Sequence, residues 1–543
     1  MVCATDITWL EHDLGRDVQT SNDSFPSMFT ARYWLQECER RHPKCHLEKG
    51  SAVNLPLPTR LLEIQQVNKV RLVFGKNILA NRKYVTLSHC WGKGHRVGLR
   101  QNTIRSFEGG IPTNTLSKTF QDAVKITNQL GVRYLWVDSL CIIQDDLQDL
   151  AHEITIIDRI YQGSYCNIAA TQASDSEGSC FAQRDLMDVR PCKIRSTWNS
   201  EPAKTLYCWA PSFWDQSIEE SKLISRGWVL QERVLATRVI HFAHDQMFWE
   251  CLEHRACETF PGGLPNQTTK LSLNPHSLRS EIIQITDPTA LRYSVWCKAL
   301  NAYSHCDLTF PEKDKLTAIS GLARRIGAAE DYVAGLWWNI LPRELMWMVS
   351  EGSLKSRPLG YRAPSWSWAS IDGPIISREP IAYASQSTLI EIIDIDIRHE
   401  SFDRFGQVQH GSIKLNGPIG KFIINYTRFM TATRKWMGES LANVVGDCGP
   451  FPARSEICCL VIERDKNDGG LYGIVIHPSR GVKGMYVRCG WFAFFNRSDT
   501  TDDSYLGVAG AEPLRQKLDA SEYEEYTGSD EITGFHSYVI TLI

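Results

Sequence analysis

With 543 residues, 43% hydrophobic content and 10% aromatic, the chain can bury at least two cores and is not a disordered polymer. A formal net charge of −3, with no run of five basic residues, argues against a nucleic-acid partner, and no apolar stretch approaches the roughly 20 residues that cross a bilayer. Asp6, Glu11, His12 and Asp13 sit where a secretory leader would be basic and then apolar; seventeen cysteines spread over so long a chain read as reduced thiols, so a cytoplasmic protein of two or three domains is expected.

Residues 31–41 read as a helix that stops at His42-Pro43, because proline cannot extend the hydrogen-bond ladder and disfavours helix in the residue before it. Residues 70–74 (VRLVF) and 84–87 read as strands joined by a polar turn over 76–83, the second halting at Trp91-Gly92. Ser117 is placed to cap a helix whose apolar face is Phe120, Ala123, Val124, Thr127 and Leu130, closed by Gly131, and a buried strand follows over 134–137. Strand, helix and strand make a βαβ unit with parallel strands, whose carboxyl ends would bring Ser88, His89 and Asp138 to one edge. Leu147, Leu150, Ile154, Ile157 and Tyr161 mark a second helix leading to a strand over 167–171. Residues 173–214 lack periodicity and read as an insertion or lid over that edge. A short helix over 228–235 puts Trp228 and Glu232 on one face, strands cover 239–242 and 246–251, and the Gly/Pro/Asn/Thr-rich stretch 259–275 reads as a linker.

Beyond it, 292–304, 313–326 and 341–348 look helical, whereas from Leu389 the pattern is of strands: Ile393, Ile395 and Ile397 alternate with Asp394 and Asp396, and further runs cover 457–463, 471–477, 484–495 and 538–543. The expected organisation is an N-terminal preface (1–75), an α/β domain (76–258) carrying the 173–214 insertion, a mostly helical connecting segment (259–380) and a β-rich C-terminal domain (381–543). There is no internal repeat.

Four aromatic-rich blocks concentrate the polar residues of interest: 84–92 (YVTLSHCWG), 134–145 (YLWVDSLCIIQD), 225–235 (SRGWVLQERVL) and 363–373 (APSWSWASIDG). In this order they resemble the heterokaryon-incompatibility (HET) domain of filamentous fungi, with its "YxxLSxCWG", "WVDxxCIxQD" and "SRxWxxQER" elements; beyond that core, 55–62, 303–321 and 361–373 resemble flanking segments of the same proteins. The resemblance implies a role in fungal non-self recognition, where incompatible partners trigger growth arrest or programmed cell death through a protein partner and self-association. The HET core is in turn similar in element order to TIR domains, flavodoxin-like modules whose catalytic members hydrolyse NAD. The implied fold is α/β, a flavodoxin/TIR-like parallel-sheet core followed by a helical segment and a β-rich C-terminal domain.

Many TIR domains carry a Trp followed four residues later by a Glu on one helix, as Trp228 and Glu232 are. By that likeness Glu232 is the candidate catalytic carboxylate. Trp91 or Trp228 would stack on a flat ring, Arg226 would pair with a pyrophosphate oxygen, and Ser88, Cys90 and Asp138 would line the crevice where open α/β sheets bind ligands. No cofactor is required; NAD enters as a substrate. Other readings stand beside these. Glu232 could be a charge paired with Arg226 or Arg233, Asp138 could cap a turn, and the WSW tryptophans read as packing. Gly92-Lys93-Gly94 fits neither dinucleotide-binding nor P-loop patterns. His89 and Cys90, adjacent on a strand, point to opposite faces and so do not pair. Cys38, His42, Cys45 and His46 form one group of zinc-competent side chains and Cys251, His254 and Cys257 another, but neither supplies paired CxxC units, and no metal is expected. The chain is thus a non-catalytic signalling protein, an NAD-consuming enzyme, or a metabolic enzyme on the same scaffold.

Overall fold

Four short runs, Tyr84–Ser88, Tyr134–Trp136, Cys166–Ala169 and Arg238–Phe242, are buried along their whole length, as strands covered on both faces must be. In the computed structural model they lie side by side and parallel. The structure describes residues 3–6, 18–46, 55–80, 82–92, 97–196, 204–210, 212–265, 275–283, 289–350, 357–377, 386–424, 442–452, 454–466, 469–479, 481–494, 511–514, 517–530 and 533–543. Residues 7–14 of the N-terminal stretch, Lys93-Gly94 of the glycine-bearing loop and 266–274 of the expected linker lie outside these. The chain folds as two units, Met1–Gln284 and Ile285–Ile543.

The first unit is built on a nine-stranded sheet: β1 (Arg60–Gln66), β2 (Lys69–Phe74), β3 (Tyr84–Ser88), β4 (Ile111–Pro112), β5 (Tyr134–Trp136), β6 (Cys166–Ala169), β7 (Arg238–Phe242), β8 (Met247–Cys251) and β9 (Arg255–Cys257). Their spatial order is β9-β8-β7-β6-β3-β5-β1-β2-β4. The expectation of a parallel sheet holds for the central β7-β6-β3-β5 and is corrected at both flanks, where every pairing is antiparallel. Linker length is the reason in the hairpins. β7 and β8 are four residues apart and β1 and β2 two, whereas a parallel crossover needs about a dozen. Among the parallel strands the chain starts at β3, passes to β5 on one side and then to β6 and β7 on the other. The carboxyl ends of β3 and β6 therefore flank the point where the winding reverses.

Helices fill the crossovers. Lys118–Gln129 lies between β3 and β5; Ser117 holds its N-cap position without a side-chain capping bond, and Gly131, at φ +76°, closes it. The single helix read over 147–161 is two, Leu147–Thr155 and Ile157–Gln162; the first is capped by the Asp146 carboxylate. In the insertion, Cys192–Ser196 and Lys204–Trp209 pair as a hairpin that Cys3–Asp6 extends. Its 175–178 turn packs on the loop after β3. Ser176 Oγ donates to the Trp91 carbonyl at 3.3 Å, and Gly92, at φ +69°, leaves room for Asp175 that a Cβ would fill.

In the second unit the helix Thr289–Ser304 and the segment around Trp337 and Trp368 form an aromatic core: Trp296, Trp337, Trp366 and Trp368 are all buried, so the WSW tryptophans do pack. The helix read over 313–326 is broken into Pro311–Asp314 and Ser320–Ile326 with a 3₁₀ turn between. Of 341–348 only Leu341–Glu344 is helical. The predicted β-rich region is present, among the described residues, as a ten-stranded sheet with a core of Phe422, Cys459, Val461, Val475, Phe492, Phe494 and Phe535. Among the described residues no helix is long and apolar enough to cross a membrane.

Helix Gly227–Leu235 is fastened to the sheet of the first unit by charge. Its Arg233 donates to both carboxylate oxygens of Glu219 at 2.9 Å and of Glu250, on β8, at 2.6 and 3.2 Å. Glu250 also meets His241 Nε2 at 3.0 Å and Arg279 Nη1 at 3.3 Å, and Arg279 donates to the carbonyl of Ala236, just past the helix, at 2.5 Å. Burial alone would raise the Glu250 carboxyl, but Arg233 and Arg279 hold it well below the usual carboxylate range. Arg233→Met leaves Glu219 without its cation and Glu250 with only His241 and Arg279, and we expect it to lower unfolding stability by about 3–5 kcal/mol, read from urea denaturation; a loss under about 1 kcal/mol would show that the helix is held by apolar packing alone.

Candidate functional site

A wholly buried strand leaves little room for polar side chains, so those it carries must satisfy one another. Thr86 and Ser88, on one face of β3, both turn to Asn167 of β6. Thr86 Oγ1 donates to the side-chain Oδ1 of Asn167 at 3.0 Å and Asn167 Nδ2 donates to Ser88 Oγ at 3.0 Å. The Ser88 hydroxyl in turn donates to Glu232 Oε2, and the Tyr161 hydroxyl, from the helix Ile157–Gln162, also bonds the Glu232 carboxyl. Tyr161 is itself held edge-on by Trp136 at 5.6 Å between ring centroids. Glu232 thus sits over the carboxyl ends of β3 and β6, in reach of two hydroxyls.

Arg233 being committed to Glu219 and Glu250, the adjacent Glu232 is turned by about 100° of helix toward Ser88. Pairing of Glu232 with Arg233 does not occur, and Arg226 spends its nearest N–H on the His89 carbonyl at 2.6 Å. Glu232 is 8% exposed, and its carboxyl is pushed up to about 7, by burial above all and by the charge of Asp138, against the pull of Ser88, Arg226 and Tyr161.

The rim is wetter. Asp138 accepts from the Trp91 indole N–H at 2.7 Å through one oxygen and from the Ser139 backbone N–H at 2.6 Å through the other, so it ties the β3 loop to the end of β5; the short helix Asp138–Cys141 that it opens has Val137 at its N-cap and no side-chain capping bond. His89 Nδ1 lies 3.9 Å from it, with the ring edge-on to Phe120. Cys90 turns the other way, into an apolar cluster with Ala169, Leu223, Val229, Ala236 and Val239. Burial raises its thiol while Arg226 draws it down. Trp91, Arg226 and Trp228 are half-buried; Trp228 stands one turn before Glu232 on the same helix. Ser88 and Glu232 are thus brought together, Trp91 and Asp138 likewise, and Cys90 joins them through Arg226. Asn167 and Tyr161 were not foreseen. A lone amide within the strand CNIA was the available signal for Asn167; Tyr161 looked like one more apolar position.

Residues 84–232 match the family model described as heterokaryon incompatibility protein (HET). The span opens on the first residue of β3 and closes on Glu232, so Ser88, Cys90, Trp91, Asp138, Tyr161, Asn167, Arg226 and Trp228 all lie within it. The chain carries a HET domain there, as the sequence blocks indicated. No curated protein and no solved structure matches the chain.

Because the Glu232 carboxyl is held near 7 in the fold against about 4.5 unfolded, the folded state binds the extra proton and stability falls as pH rises between those values. Glu232→Gln fixes the neutral state. At pH 8 it should be more stable than wild type by up to roughly 3 kcal/mol, at about 1.4 kcal/mol per pK, with the difference vanishing below pH 4.5. Urea midpoints measured across pH test this; a wild-type advantage that grows with pH would contradict it.

Proposed function

We propose that this chain is a cytoplasmic protein of fungal non-self recognition whose HET domain, acting with a protein partner and by self-association, triggers growth arrest or programmed cell death when incompatible strains meet. The family match over residues 84–232 carries this reading. Its test is inducible expression in a filamentous fungus paired with compatible and incompatible strains. Arrest confined to particular pairings is expected, and growth equal to the empty-vector control in every pairing would reject it. Removing 389–543, the β-rich region that supplies the available partner-sensing surface, should abolish the partner-dependent response.

A second reading, NAD cleavage on a TIR-like core, is favoured by one observation: Glu232 stands with Ser88 at the carboxyl ends of β3 and β6, the reversal point where open α/β sheets take ligands. The order of the four parallel strands, with the first in sequence inside the sheet, agrees with a flavodoxin-like core. In this reading the carboxylate lies beside the ribose and stabilises the positive charge that develops as the nicotinamide–ribose bond breaks. Nicotinamide leaves neutral, water adds to the ribose and its proton passes to solvent. Ser88 and Tyr161 orient the carboxylate. Trp91 or Trp228 stacks on a flat ring, and Arg226 has further N–H groups for a pyrophosphate oxygen. Since the ionised form acts, kcat/KM for nicotinamide release should rise with pH through about 7, and Glu232→Gln should abolish release. Release undiminished in that variant would reject the reading; an intact incompatibility response in it would leave signalling without catalysis.

A further inference from the structure

Helix Phe25–Arg41 ends where His42 meets Pro43, and the 3₁₀ turn Pro43–Cys45 follows at once. Cys38 and His42, four residues apart, share the last helical face, and the turn folds Cys45 back beside them, its backbone N–H donating to the His42 carbonyl at 3.0 Å. Cys251 reaches the same point from the end of β8, across the sequence. The three sulfurs and one His42 ring nitrogen all lie within 4.8 Å of one another, with the cysteines buried and His42 half-buried; Cys251 Sγ is 3.2 Å from His42 Nδ1.

We propose that Cys38, His42, Cys45 and Cys251 form a tetrahedral zinc site that staples the N-terminal helix to β8. A zinc ion with bonds of about 2.3 Å to sulfur and about 2.0 Å to nitrogen holds its ligand atoms about 3.5–4 Å apart, so the cluster needs only a small contraction to close. Three soft sulfurs and an imidazole select zinc over magnesium or calcium, and four protein ligands make the site structural, with no position left for substrate. The surroundings suit its charge. Zinc with three thiolates carries a net −1, and Arg238, 7% exposed, aims Nε at Cys38 Sγ at 3.2 Å while its Nη2 donates to the Cys45 carbonyl at 3.4 Å. A disulfide would consume two of the sulfurs and leave the third thiol facing His42. The two groups of zinc-competent side chains that stand apart in sequence thus exchange members: Cys251 joins the first, whereas His254 only packs its ring 5.4 Å from that of His42. All four ligands lie outside residues 84–232, so the proposal is independent of the function assigned to that span.

Zinc binding displaces the thiol protons, and full-length protein purified without chelator should contain one zinc per chain by elemental mass spectrometry. Cys251→Ser and Cys38→Ser should lose it, and Cys180→Ser, a buried cysteine elsewhere, should keep it. Because a ligand variant could fail to fold, the wild-type protein gives the second measurement: cobalt substitution should produce the intense visible bands of a tetrahedral thiolate site. Wild-type protein that neither contains nor takes up zinc, a weak octahedral cobalt spectrum, full zinc content in Cys251→Ser, or a disulfide within the cluster by non-reducing mass analysis would each overturn the proposal.

Discussion

The carboxylate of Glu250 is the point on which the first unit's geometry turns. It is fully buried and gathers Arg233, His241 and Arg279, drawn from the helix Gly227–Leu235, from β7 and from the helix Pro275–Ile283. Buried ion pairs add little net stability over apolar packing, but they are intolerant of rotation or slippage, because any shift leaves a charge unpaired in a poor dielectric. A short helix lined with Val229, Leu230, Val234 and Leu235 could pack in several rotations on apolar contact alone. With Arg233 fixed on Glu219 and Glu250, only one remains, and it delivers Glu232 to Ser88.

Two adjacent helical residues of opposite charge therefore have opposite fates. Arg233 is compensated by two carboxylates, and Glu232 is given hydroxyls. Hydroxyls satisfy its lone pairs without cancelling its charge, so the desolvation penalty persists and the carboxyl stays near neutrality's border. The chain of bonds from Thr86 through Asn167 and Ser88 to Glu232 leaves each buried group a partner, which is what lets an uncompensated acid persist at the end of a buried sheet. A carboxyl of this kind can change protonation at physiological pH, a property that a structural ion pair lacks.

Local pattern carried much of this into the sequence. The apolar runs of β3, β5, β6 and β7 and the 3.6-residue spacing of the helix Lys118–Gln129 are properties of neighbouring residues, and they predicted the βαβ core and the approach of His89 to Asp138, whereas Ser88 turns instead to Asn167 and Glu232. What was not legible depends on partners distant in the chain. β1 (RLLEIQQ) carries Leu61, Leu62 and Ile64 but no clean alternation to mark it as a strand, and pairing with β2 and β5 makes it one. Cys3–Asp6 is a strand only because the hairpin of the insertion accepts it. Arg233, 14 residues from Glu219 and 17 from Glu250, offered no sign that it would pair with these two acids rather than with the adjacent Glu232, and Cys251 lies over 200 residues from the cysteines it joins.

The span recognised as a HET domain begins and ends inside this architecture rather than around it. It contains β3, β5 and β6 but omits β7, which covers the free edge of β6, and β1, which covers that of β5. Cut at residues 84 and 232, the sheet would present two open buried edges, and the helix ending the span would lose Arg233, His241, Glu250 and Arg279 together. The conformation of Glu232 is consequently a property of the larger unit through Ile283. The match marks where the site residues are concentrated, and the elements on either side, from the N-terminal helix to the helix Pro275–Ile283, are what hold those residues in place.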